Sequence, residues 1–273
     1  MHRPRLRTPR AFRRVRRVVV ALAIVGVLLL LLGHISLGGS LLGGMLLCLG
    51  LLESSQLRQL IIEGQRQQYA LTQIRPLLGD LPLDLSGWAA DPILVHNAVR
   101  LVLDTRPNFV VECGSGSSTI AIARTLRASG GRIVSLEHDA KYAQRTREML
   151  RLHGLDTLAT VVTAPLTSRQ VAGQTFQWYA PTYELLLNQP IEMLVVDGPP
   201  ALLGRRSRYP AIPILKPHFA EQCWILMDDG DRPDERDVAH TWSRELGGKL
   251  TYLEGGRGGW LLHRTGVAPR STP

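Results

Sequence analysis

From Val18 to Leu52 the chain runs for 35 residues without a single Asp, Glu, Lys or Arg. A stretch of this kind has a natural solvent in the hydrocarbon core of a bilayer, where each backbone amide must be satisfied within the segment and a helix is the simplest way to do it. As one helix it would extend roughly 52 Å, against a core of about 30 Å. The Gly33 to Ser40 stretch is the natural break. We therefore expect two short transmembrane helices within residues 18–52, about Val18 to Leu32 and Leu37 to Leu52, forming a hairpin whose glycines permit close packing.

Residues 1–17 carry eight arginines and no acid. They form a basic tail that the positive-inside rule keeps in the cytoplasm, and a hairpin returns the chain to the same side. A single span would put the large domain outside. A cleaved signal peptide is the competing reading, but no small-residue cleavage site follows and the apolar run is too long for it. The tail holds most of the formal net charge of +9, so the remainder is near neutral and a nucleic-acid partner is not expected. The expected location is the cell membrane, with the folded domain facing the cytoplasm.

Residues 53–90 read as a juxtamembrane segment. Glu53 to Leu78 is a glutamine-rich helix, a spacer or a short self-association helix that would make a homo-oligomer, and a linker with Pro82, Gly87 and Trp88 follows. The domain proper spans 91–266, and 267–273 form a disordered tail. A helix opens at Asp91-Pro92, a cap followed by proline at the first helical position. From Asn108 short apolar strands alternate with helices, the pattern of an α/β, Rossmann-like doubly wound sheet. Expected strands are Phe109 to Val111 and on to Glu112, Arg132 to Glu137, Leu158 to Thr163, Ile191 to Asp197 and Gln222 to Asp228. Two last strands, Lys249 to Glu254 and Trp260 to Arg264, form a C-terminal antiparallel hairpin across Gly255-Gly256-Arg257-Gly258-Gly259.

The first of these strands, in NFVVECGSGSST, ends in an acid and turns into a loop where Gly114 and Gly116 supply positive φ and a missing Cβ. A helix begins at the loop, so its free N–H groups and positive dipole end lie beside it. Thr119 replaces the third glycine of a dinucleotide fingerprint. Glu112, Gly114, Gly116 and Ser118 instead resemble the acidic-x-G-x-G-x-small motif of class I S-adenosylmethionine (SAM) dependent methyltransferases. The terminal hairpin agrees, because that family ends in an antiparallel strand inserted at the sheet edge. The resemblance implies SAM as cofactor, held by Glu112, Gly114, Ser115, Gly116, Ser118, Glu137, His138, Ala164 and Asp197, with Glu137 on the ribose hydroxyls and His138 and Ala164 by the adenine.

Asp197 ends one strand, and Asp228 and Asp229 end the next. Carboxyl ends of neighbouring strands line the crevice of a doubly wound sheet, and converging like charges ask for a cation. An all-oxygen set suits Mg²⁺. The arrangement resembles metal-dependent O-methyltransferases that act on catechols and on macrolide and aminocoumarin sugars, in which the metal binds vicinal hydroxyls. One departure is visible: where sugar-modifying relatives often place a base after the strand-four acid, this chain has Gly198, Pro199 and Pro200. None of these takes a proton, so Asp231 and His240 are base candidates by proximity in sequence, with the base left unassigned, and Asp197 is a catalytic residue as the acid that holds the metal. Arg205, Arg206, Arg208 and Tyr209 are expected on the substrate loop, where they would clamp an anion or touch lipid headgroups. The aromatic insertion Leu166 to Pro190 is read as a lid or a wall.

Cys48, Cys113 and Cys223 form no disulfide framework, which fits a reduced compartment. The implied activity is O-methylation of a hydroxyl on a small-molecule, sugar or lipid-linked acceptor. The alternatives are a nicotinamide-dependent Rossmann enzyme and an inactive methyltransferase-like membrane scaffold.

Overall fold

The computed structural model describes residues 10–79, 90–182 and 187–265, with side chains from Arg17 onward. The basic tail up to Pro9, most of the linker, Tyr183 and the C-terminal tail lie outside the described residues. The chain divides into two compact units, Met1–Gln65 and Arg66–Pro273.

In the first unit α1 (Arg10–Leu31) turns at Gly33, whose φ of +83° is open to glycine, into α2 (Ile35–Leu78). The break is narrower than expected. Ser36 to Ser40 are helical, and the glutamine-rich segment continues α2 instead of forming a helix of its own, giving 44 residues without interruption. No proline occurs before Pro76 to stop it. Glycines do set the spacing of the hairpin: a Cβ on Gly38 would lie 2.6 Å from Leu30 and 2.8 Å from the Gly26 carbonyl, and one on Gly26 would crowd Leu42. α2 is long and apolar enough to cross a membrane, whereas the apolar part of α1, Arg17–Leu31, is shorter. Leu31, Leu32 and Ile35 are each more than 70% exposed.

The second unit is built on a seven-stranded sheet. Its strands are β1 (Phe109–Cys113), β2 (Arg132–Glu137), β3 (Ala159–Thr163), β6 (Ile191–Val196), β7 (Phe219–Asp228), β8 (Lys249–Leu253) and β9 (Gly259–Arg264), in the order β3-β2-β1-β6-β7-β9-β8. β9 alone runs against its neighbours, inserted between β7 and β8. Helices α3 (Pro92–Thr105), α4 (Ser117–Leu126), α5 (Ala140–Leu152), α6 (Ala211–Leu215) and α7 (Pro233–Leu246) cover the two faces. Caps read in the sequence are formed: Asp91 accepts from the Ile93 amide at 2.8 Å, Asp139 from the Lys141 amide at 2.8 Å, and Gly247 closes α7 in the left-handed region.

All five residues of β1 are buried, and the pleat sends them to two cores. Phe109, Val111 and Cys113 join one core with Trp242 of α7, while Val110 joins the other with residues of α3, α4 and α5. Ile74 and Leu78 are buried in that second core, so the end of α2 belongs to this domain. The aromatic insertion is a separate hairpin, β4 (Leu166–Val171) with β5 (Gln174–Tyr179), turning at Ala172 and Gly173, both with positive φ. Alanine is an unusual occupant of such a two-residue turn, so the sequence carried a weak hairpin signal here. Phe176, Trp178 and Tyr179 are buried as a wall against the first core.

Candidate active site

The strand order reverses between β1 and β6, and in a doubly wound sheet a crevice opens there. The loop after β1, Gly114 to Gly116, forms one lip. Gly114 has φ +106° and Gly116 φ +153°, and a Cβ on Gly116 would meet nothing within 4 Å, so this backbone faces open space. Glu112 holds the loop from beneath. It is fully buried, and its carboxylate accepts from Ser118 Oγ at 2.5 Å, Thr119 Oγ1 at 2.5 Å and Ser135 Oγ at 2.7 Å. Thr119 in turn accepts from the Gly116 amide at 3.0 Å. The residue that spoils the dinucleotide fingerprint thus ties the loop to its acid. Burial raises the Glu112 proton affinity and the three hydroxyls work against that rise.

Two expectations change as a result. Glu112 and Ser118 bond to each other inside the protein, so they shape the cofactor loop and do not reach from it. Glu137 stays at the crevice. Its Oε2 accepts from Ser115 N at 3.0 Å and from Ser115 Oγ, and its Oε1 from the Asp139 amide, with His138 Nδ1 at 3.0 Å. That carboxylate raises the proton affinity of the half-buried His138. Ala164 is buried at the end of β3, its amide bonded to the Glu137 carbonyl at 2.7 Å.

Asp197, Asp228 and Asp229 do converge, with one oxygen from each lying within 4.8 Å of the others. Their charge is already met from inside the protein. Arg208, 3% exposed, reaches Asp229 Oδ2 at 2.7 Å and Asp197 Oδ1 at 3.3 Å, and also donates to the carbonyls of Asp228 and Asp197. Arg257 bonds Asp228 Oδ2 at 2.8 Å and lies 3.3 Å from Asp229 Oδ1. Arg232 pairs with Asp229 at 2.7 Å and is shared with the buried Glu235 at 3.4 Å. Asp197 is the least paired of the acids and 22% exposed. Burial first, and then Asp228, push its proton affinity well up. Three guanidiniums thus serve Asp228, Asp229 and Glu235 as well as Asp197, and most of the charge that a divalent cation would neutralise is already met. The oxygens suit Mg²⁺ by type, and the arginines compete with it for the same charges.

The four substrate-loop candidates separate. Arg208 is buried among the acids. Arg206 pairs with Asp237 of α7 at 3.0 Å and lies over the Tyr209 ring. Tyr209 is buried and donates to Glu245 at 2.7 Å. Arg205 alone of the four stays at the surface, 89% exposed, with Asp234 at 3.5 Å. Arg206 and Tyr209 form structure because α7 offers Asp237 and Glu245 opposite them. Asp231 accepts from Tyr252 at the exposed rim, and His240 packs edge-on to Trp260 at 5.2 Å. Sequence reading missed Arg257 and Arg232, taking the first for part of a glycine turn, and it missed Tyr179 as a crevice residue.

Residues 111–230 match the family described as a methyltransferase domain. Over these residues the chain carries a methyltransferase domain. This match favours SAM over a nicotinamide cofactor. The SAH-bound methyltransferase of Podospora anserina is a structural neighbour of this methyltransferase, with a TM-score of 0.53 and 14% identity over 72% of this chain and 88% of that one. A Staphylococcus aureus protein assigned as a caffeoyl-CoA O-methyltransferase aligns with a TM-score of 0.50 and 13% identity, over 76% and 98%. At such identities the likeness is one of fold. No curated protein matches the sequence.

Proposed function

We propose that this methyltransferase is a membrane-anchored O-methyltransferase that acts on a hydroxyl of a small-molecule, sugar or lipid-linked acceptor from the cytoplasmic side, without a divalent cation. The observation that carries the reading is Asp197. It ends β6 at the crevice, is the one acid of the cluster left partly exposed, and holds its proton more tightly than an ordinary carboxylate, which makes its conjugate base strong enough to take a proton from a hydroxyl. SAM supplies an activated methyl group. The chain's own part is to hold the acceptor oxygen beside Asp197, pass the hydroxyl proton to that carboxylate, and exclude water with the β4–β5 wall. Gly114, Ser115 and Gly116 would cradle the amino acid end of SAM, and Glu137 its ribose, with His138 and Ala164 at the base.

Three features support the membrane. α2 is able to cross a bilayer, the apolar residues of the helical hairpin are exposed, and an arginine-rich segment precedes it. The crevice loop leads to a short helical turn, Ala201–Leu203, on which Leu202 is 85% exposed, followed by Arg205. An apolar residue beside a cation suits an amphipathic acceptor near headgroups.

The test uses the full chain in liposomes with methyl-labelled SAM and a bacterial total lipid extract as acceptor, with and without EDTA. Alkali-stable label in an ether, unaffected by EDTA, is the expected outcome. Label released by alkali as an ester, label on nitrogen, or activity abolished by EDTA and restored by Mg²⁺ would overturn the reading.

A further inference from the structure

Tyr179 closes β5 and is fully buried, yet its hydroxyl has no hydrogen-bond partner among the described residues. An unpaired buried hydroxyl costs on the order of 1 to 3 kcal/mol, so a fold that keeps one has a use for it. The hydroxyl lies against Gly198, where a Cβ would overlap it. Gly198 is thus glycine because the phenol needs the space, and the position at which a base was sought is filled from another element.

The surroundings define what the hydroxyl can bond. Cys113, Glu137, Asp197 and Arg208 are its charged or titratable neighbours, so it sits where the ends of β1, β2 and β6 meet. Asp197 takes Arg208 at 3.3 Å on Oδ1 and makes no bond to the phenol, and the remaining acceptors there are engaged. The Cys113 carbonyl takes the amides of Asp197 at 3.0 Å and Gly198 at 2.7 Å, and both Glu137 oxygens serve Ser115, Asp139 and His138. Deep burial keeps the phenol protonated, so it acts as a donor. A ligand that brings an acceptor to these strand ends would satisfy it.

We propose that Tyr179 is a cofactor-binding residue whose hydroxyl donates to the α-carboxylate of bound SAM. This rests on the SAM assignment and on the glycine loop lying at the same strand ends. A carboxylate is the strong acceptor that SAM brings, and a charge-assisted bond in a dry site is worth more than a neutral one.

The test compares binding of SAH and of 5′-methylthioadenosine, which keeps the nucleoside and thioether but lacks the amino acid, to wild type and Tyr179→Phe. The expected result is a loss of SAH affinity of roughly 10- to 150-fold with methylthioadenosine binding unchanged, the range expected of one hydrogen bond to a charged group. Unchanged or tighter SAH binding, or equal losses for both ligands, would overturn the proposal. If wild type bound neither ligand, the SAM assignment itself would fall, a separate outcome. Should Tyr179→Phe not fold, isotope-edited infrared spectra of carboxylate-labelled SAH on wild type serve instead. A carboxylate stretch shifted from its position in water to that of a buried phenol-bonded anion supports the bond, and one matching free SAH refutes it.

Discussion

Replacing Arg208 by methionine tests the charge balance of the crevice directly. The guanidinium makes two bonds to carboxylates and two to carbonyls, and Arg208 is 3% exposed, so water does not replace it. Removing one partner of a buried ion pair costs about 3 to 5 kcal/mol, because the opposite charge stays behind. Asp229 keeps Arg232 and Arg257, and Asp197 is able to protonate, which places the cost toward the lower end. For a domain of this size each kcal/mol moves Tm by about 2 to 4 °C, so a fall of about 6 to 16 °C is expected. Tryptophan fluorescence during thermal unfolding of the full chain in detergent would report it. Millimolar Mn²⁺ should restore part of the loss in Arg208→Met, now short of one positive charge, and do nothing for wild type. A fall of less than about 2 °C would refute the reasoning, since that is under one kcal/mol. Stabilisation of wild type by Mg²⁺ would refute it equally.

Two further predictions concern the same strand end. In the folded protein Asp197 binds its proton more tightly than in the unfolded chain, so its contribution to stability is present at low pH and is lost as pH rises from about 3.9 through the folded value. Asp197→Asn should therefore be at least as stable as wild type at pH 8 by thermal unfolding, while methyl transfer falls by about 100-fold or more as expected for a lost base; the wild-type rate should rise with pH through a value above the ordinary carboxylate range. Gly198→Ala should destabilise by about 1 to 3 kcal/mol through overpacking, and less in a Tyr179→Phe background where the oxygen is gone. Equal costs in the two backgrounds, read by denaturant unfolding, would show that the hydroxyl is not what fills the glycine's space.

The sequence made legible whatever depended on neighbours along the chain. Glu112 followed by Gly114 and Gly116 marked the loop, Asp91 and Asp139 marked helix starts, and the glycine run announced the terminal hairpin that the sheet contains. Strand ends drifted by a few residues, as with β7, which begins at Phe219 and not at Gln222. The convergence of Asp197, Asp228 and Asp229 followed from strand order alone. Their counter-ions did not, because Arg208 and Arg257 lie 20 and 29 residues from Asp228 and reach it only through the folded sheet. A cluster of acids reads as a metal site until its arginines are in place. Tyr179 was hidden for the same reason: one aromatic among several in an insertion, it acquires meaning from Gly198.

The insertion of β9 bears on how the protein is made. β7 lacks a partner on its outer side until residues 259–264 exist, and Arg257 stands at the entrance to that strand. During synthesis Arg257, which neutralises Asp228, follows β1, β6 and β7. A nascent chain stopped short of β9 would expose an apolar strand edge and carry unbalanced acids at its centre, the features that invite aggregation and triage. A product that stops before β9 thus lacks at once the outer partner of β7 and a counter-ion of Asp228.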